Sequence, residues 1–128
     1  MLNALAAGWG GIAWMRRDPS SGFWYVLRAA QLIVVVQAAL GGVLLAQGRD
    51  VDGLHLFYGL APLFVAFVSE GLRVNAAHLE LEGVEDVEAL DRRDQVLLAR
   101  RVVMREMGIM TIGTLMIVTL SLRAAGIF

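Results

Sequence analysis

Three stretches of this chain are each about 20 residues of mostly apolar side chains, the length that about 30 Å of hydrocarbon demands at 1.5 Å per helical residue. The first covers 22–46, with apolar blocks Leu32 to Val36 and Ala38 to Leu45 interrupted by Arg28, Gln31 and Gln37. The second covers 51–72 and has an uncharged core from Leu54 to Val68. The third covers 102–122 and carries Arg105 and Glu106 in its first turns. A segment that crosses lipid must satisfy its own backbone hydrogen bonds, so each is read as a helix. Composition agrees, with 58% apolar residues, 18% charged and a mean hydropathy of +0.65. The expected fold is all-α: an integral membrane helical bundle of three transmembrane helices, forming one domain over 1–128.

The ends and the connections complete that outline. Leu2 to Met15 is too short to span, yet Leu2, Leu5, Trp9 and Ile12 fall near one helical face, and Trp9 and Trp14 suit headgroup depth. An interfacial helix is expected over 1–15, and with no basic residues before its apolar stretch it does not read as a cleaved signal peptide. Arg16 to Ser21 reads as a turn, with Ser20 or Ser21 as the cap of the first span. The segment 74–101 holds four arginines, and seven acids fall between Glu80 and Asp94, so it must lie outside hydrocarbon. Its second half, Val87 to Arg101, has helical spacing and is expected to run unbroken into the third span. Eight arginines flank the spans on one side (Arg16, Arg17, Arg73, Arg92, Arg93, Arg100, Arg101 and Arg105), and Arg49 and Arg123 stand on the other. The positive-inside bias therefore places the N-terminus and the charged helical loop in the cytoplasm and the C-terminus outside. The expected setting is a multi-pass protein of a bacterial-type plasma membrane.

Several functions are excluded early. Eleven basic against twelve acidic residues give a net charge of −1, which offers nucleic acid no purchase. Without cysteine there is no disulfide, thiolate nucleophile or iron–sulfur centre. No P-loop, dinucleotide-binding, HExxH, GxSxG or EF-hand pattern occurs, so soluble-enzyme chemistry has no support. His55 and His78 are the only imidazoles. His78 falls in the charged loop with Glu82 four residues on, and two ligands do not make a metal site.

Polar groups inside the spans are the remaining candidates. Arg28 and Glu70 lie at comparable depth on two antiparallel helices, and the simplest reading is a structural ion pair; the alternative is a carboxylate in proton or quinone chemistry. Gln31 and Gln37 offer hydrogen bonds between helices. Ala38, Ala39, Gly41 and Gly42 form a smooth face for a neighbouring helix or a flat ligand, and Gly108, Thr111, Gly113 and Thr114 form another. His55 stands one turn inside the outer end of the second span, with Gly59 one turn further on the same face. The missing side chain leaves room beside the imidazole, which suits a porphyrin edge, and Pro62 frees the carbonyl of Tyr58. The plainer reading of His55 is a headgroup-level hydrogen bond to the Asp50 or Asp52 region.

Gln37-Ala38-Ala39-Leu40-Gly41-Gly42, a short polar turn, and then His55-Leu56-Phe57-Tyr58-Gly59 resemble two consecutive helices in one half of the haem A synthase family. The resemblance covers about residues 31–68. It implies that His55 is an axial ligand to haem iron; the candidate site read here is then His55 with Gly59, Tyr58, Gln37 and Gly41, and the candidate cofactor is haem b. The family has two four-helix halves, a second histidine in each and an extracytoplasmic cysteine pair. This chain has none of these, so haem A synthesis itself is not expected, and a second axial ligand must be Met116 or His55 of a second copy. Three functional classes follow: a haem b membrane protein for electron transfer or haem handling, a structural or assembly subunit docking other membrane subunits, and a small transporter protomer with Arg28, Gln37 and Glu70 along its path. Besides the lipid bilayer, a homo-oligomer is expected, because three spans enclose little.

Overall fold

The computed structural model describes residues 1–127, and its helix ends fall where left-handed residues stop each run. Four helices form: α1 Leu2–Met15, α2 Ser21–Ala46, α3 Gly53–Leu81 and α4 Arg92–Ala124. There is no strand among the described residues, and α2, α3 and α4 are each long and apolar enough to cross a membrane. Past α1, the Arg17 and Asp18 amides donate to the carbonyls of Trp14 and Ala13 at 3.1 and 3.0 Å, with Arg17 at φ 53°. That closure normally uses glycine. Gly48 (φ 78°) and Gly83 (φ 87°) take the corresponding positions after α2 and α3.

Two boundaries differ from the sequence reading. α3 continues to Leu81 because Ala76 is buried, and Glu80 holds Arg105 of α4 at 2.8 Å. α4 begins at Arg92, and residues 87–91 are irregular. The Gln95 side-chain amide donates to the carbonyls of Val87 and Leu90, each at 3.0 Å, so a side chain replaces the helical ladder there. Ser20 caps α2 in position only: its hydroxyl accepts a hydrogen bond from Trp9 Nε1 at 3.1 Å.

Small residues bring the helices together. α4 is the inner helix, with 39% of its most apolar stretch buried against 11% for α2 and 6% for α3. Gly108 admits the Trp14 ring, Gly113 admits the Ser69 side chain, and Gly10 sits against Phe23 and Thr111. Trp14 meets Gly108, Gly10 meets Thr111, and Asn3 shares a small cavity with Thr114 and Ile117, so α1 runs lengthwise and antiparallel to α4. The face α1 buries is Ala6, Ala7, Gly10 and Ala13, while Leu5, Trp9 and Ile12 stay exposed. Ala13, Phe23, Leu27, Met107 and Met110 form the core where α1, α2 and α4 meet, with Trp24 against it.

A methyl group added at Gly10 must displace Phe23 or Thr111, whereas one added at Gly41 has open space. Gly10→Ala should therefore destabilise by about 1–3 kcal/mol, as overpacking does. Gly41→Ala should be neutral or stabilising by up to about 1 kcal/mol, through helix propensity. Thermal unfolding in one detergent, followed by circular dichroism, checks both; equal melting temperatures for the two variants would refute this packing scheme.

Candidate functional site

One heptad-like repeat organises α3. His55, Gly59, Pro62, Ala66, Ser69, Arg73, Ala76 and Glu80 follow alternating spacings of four and three, which places them on one face of the helix. In its second half this face is the seam with α4: Ser69 against Gly113, Arg73 against Glu106, and Glu80 against Arg101 and Arg105. These pairs also fix an antiparallel register.

Midway along, the seam carries a charge network. Glu70 Oε1 accepts from Arg28 Nη1 at 2.5 Å and from Gln31 Nε2 at 2.8 Å, while Glu70 Oε2 accepts from Arg73 Nε at 2.8 Å. Arg28 Nη1 also donates to Gln31 Oε1 at 2.7 Å, and Arg73 Nη1 reaches Glu106 Oε1 at 3.3 Å. The Arg73 guanidinium lies 5.9 Å from the centroid of Trp24, whose ring meets Phe23 edge-on. Two arginines and two glutamates compensate one another across α2, α3 and α4, and every carboxylate oxygen of Glu70 has a donor. The sequence reading placed Arg28 opposite Glu70; Arg73, Glu106 and Trp24 were missed, although the seam spacing through Ser69, Arg73, Ala76 and Glu80 carries the signal.

From the network toward the His55 end lies a cavity of about 10 Å³ lined by Asn3, Gln31, Ser69 and Thr114 among apolar neighbours, with Asn3 Oδ1 buried and unpartnered. That is room for about one water.

At its other end the same face of α3 carries His55 and Gly59, and here no other element covers it. Both are exposed, and no atom outside its own helix segment lies within 4 Å of the position a Gly59 side chain would take. His55 has no hydrogen bond or ion pair among the described residues. Tyr58 is half-buried, with its ring edge-on to Phe57 at 5.6 Å, and Gln37 is exposed on α2. Gly41 is exposed with open space beside it. Thus His55 and Gly59 share a face, while no direct contact joins them to Gln37 or Gly41. The antiparallel register sets Met116 level with about residue 65 of α3, roughly 15 Å along the axis from His55 at 1.5 Å per residue. Met116 is therefore too deep to meet a group held by His55. No set of three His, Cys, Asp or Glu side chains converges on a metal position among the described residues. His78, near the end of α3, lies in its last turn.

Compared with known protein families, characterised proteins and solved structures, the chain matches none.

Removing Glu70 strands Arg28 and leaves Arg73 with Glu106 alone, whereas Arg28 is half exposed and Glu70 keeps Gln31 and Arg73 without it. Glu70→Gln should cost about 2–4 kcal/mol and Arg28→Gln less than half of that. The double variant should fall short of the sum, because the two side chains share one interaction. Detergent melting of the three variants measures this, and strict additivity would show that the contact carries no energy.

Proposed function

We propose that this protein is a small multi-pass membrane protein that binds haem b through His55 and serves electron transfer or haem handling. The single observation behind it is the continuation of the α3 seam: a face built to be covered ends in an unpaired imidazole and a glycine with no neighbour. The resemblance of the Gln37 to Gly42 and His55 to Gly59 segments to haem A synthase helices supports the same reading. The residues fit a porphyrin in part. His55 Nε2 or Nδ1 is available to iron, Gly59 leaves clearance for the ring edge, Tyr58 stands beside the histidine, and Gln37 and Gly41 lie on the helix preceding it. A single chain supplies one axial ligand, so the reading includes a homo-oligomer. Haem, when bound, would supply a reversible one-electron couple, and His55 with the clearance at Gly59 would hold it at this end of α3.

In this reading the arginine bias sets the Glu80 end in the cytoplasm and the His55 end outside, in a bacterial-type plasma membrane. Taking Arg123 as the outer boundary, Glu106 stands about 25 Å below it, a few ångströms inside a hydrocarbon layer of about 30 Å. The charge network then lies just within lipid, where its internal compensation is needed most. With α4 upright, α1 stands in the cytoplasmic half of the bilayer with Leu5, Trp9 and Ile12 toward lipid, rather than flat on its surface.

The absorption spectrum of the purified full chain after haem supplementation tests the proposal. A Soret band that disappears in His55→Ala and is strongly reduced in Gly59→Leu, with insertion intact and His78→Ala unchanged, is the expected pattern. A spectrum without any haem band, or one indifferent to His55, would overturn it.

A further inference from the structure

Past α1 the chain makes an unfavourable choice. Arg17 occupies the left-handed position at φ 53°, where glycine costs nothing and a side chain is strained. The neighbouring residue is Arg16, and Arg100 of α4 reaches across to donate from Nη2 to the Arg17 carbonyl at 2.6 Å. Three exposed arginines from two distant parts of the chain are thus gathered at one edge of the bundle. Arg101, the next residue, and Arg105, just over a turn further on, are engaged by Glu80, but Arg16, Arg17 and Arg100 have no carboxylate partner among the described residues. The only acid in the turn is Asp18, which makes no ion pair among the described residues, so the cluster keeps a net positive charge.

Its height identifies the ligand. Arg100 lies about 35 Å along α4 from Arg123, against about 30 Å of hydrocarbon, which sets its guanidinium level with lipid phosphates rather than in bulk water. Guanidinium groups present paired donors that match phosphate oxygens. We propose that Arg16, Arg17 and Arg100 form a binding site for the phosphate-bearing headgroup of an anionic phospholipid. The site rests on the membrane placement given above and is independent of the haem reading. The strain at Arg17 keeps a charge where glycine would relax the turn.

The full chain, purified in a mild non-ionic detergent, is titrated with phosphatidylglycerol, phosphatidylcholine or inorganic phosphate, and retained lipid is counted by native mass spectrometry. Wild-type protein should retain phosphatidylglycerol several-fold over phosphatidylcholine. Arg100→Gln and Arg17→Gly should each lose about 5-fold of that retention, the scale of one arginine at an anionic surface. Arg49→Gln, at the opposite end of the bundle, should lose none. Arg17→Gly should melt no earlier than wild type in lipid-free detergent, which separates loss of the site from loss of the fold. Equal retention of the two lipids, an equal loss in Arg49→Gln, or displacement of the lipid by millimolar inorganic phosphate would overturn the proposal. Failure here would leave the haem spectrum untouched, and absence of a haem band would leave this site standing.

Discussion

The Glu70 carboxylate is the constraint around which the bundle is arranged. An isolated carboxylate in low dielectric is prohibitively costly, and its ionised form persists only where donors surround it. Three donors from two helices converge on it, Arg28 and Gln31 from α2 and Arg73 from α3 itself, and Arg73 passes the compensation on to Glu106 of α4. Each of these contacts fixes a rotation and a height. Once Arg73 faces Glu106, the heptad-like spacing sets Ser69 on Gly113 and Glu80 on Arg101 and Arg105 without further choice. The network is polar, yet its structural effect is to specify which apolar faces meet.

Small residues then decide how closely those faces approach. Lipid tails are as apolar as leucine, so helices in a bilayer gain little from hydrophobic contact and much from close packing. Gly10, Gly108 and Gly113 each receive a side chain from a neighbouring helix, Phe23, Trp14 and Ser69 respectively. Gly41, Gly42 and Gly59 receive nothing, and all three lie toward the His55 end. Gly8 and Gly71 are open as well, so the filled glycines mark only the contacts of α1 with α2 and α4 and the Ser69 crossing of α3 on α4.

Much of this was legible in the sequence, and the misreadings have physical causes. Span length and apolarity gave the three long helices, because the thickness of hydrocarbon leaves little freedom. Arg28 and Glu70 were legible as partners because depth alone restricts which charges can meet. The stripe of Leu5, Trp9 and Ile12 on α1 was legible and is exposed, but the face that packs on the bundle, Ala6, Ala7, Gly10 and Ala13, was not read, because small residues leave no apolar periodicity. The start of α4 was set too early because Gln95 bonds the carbonyls of the preceding loop, a side-chain substitution that periodicity does not register. The extension of α3 to Leu81 was hidden by charge, since Glu80 reads as solvated until Arg105 is seen beside it.

The packing of α1 on α4 joins the two ends of the chain, and this has a consequence for biosynthesis. A ribosome releases α1 first and α4 last, with roughly 90 residues between the faces that meet, which at 5–20 residues per second is on the order of ten seconds. During that interval the Ala6, Gly10 and Ala13 face lacks its α4 partners, and α2 holds α1 through Phe23 against Gly10 and through Trp9, Ser20 and Gly22. The hydrogen bond from Trp9 to the Ser20 hydroxyl is among the α1–α2 contacts that need no part of α4. A nascent chain cut short before Met107 would lack the Met107, Gly108 and Thr111 surface on which α1 packs, so the last helix completes the seat of the first.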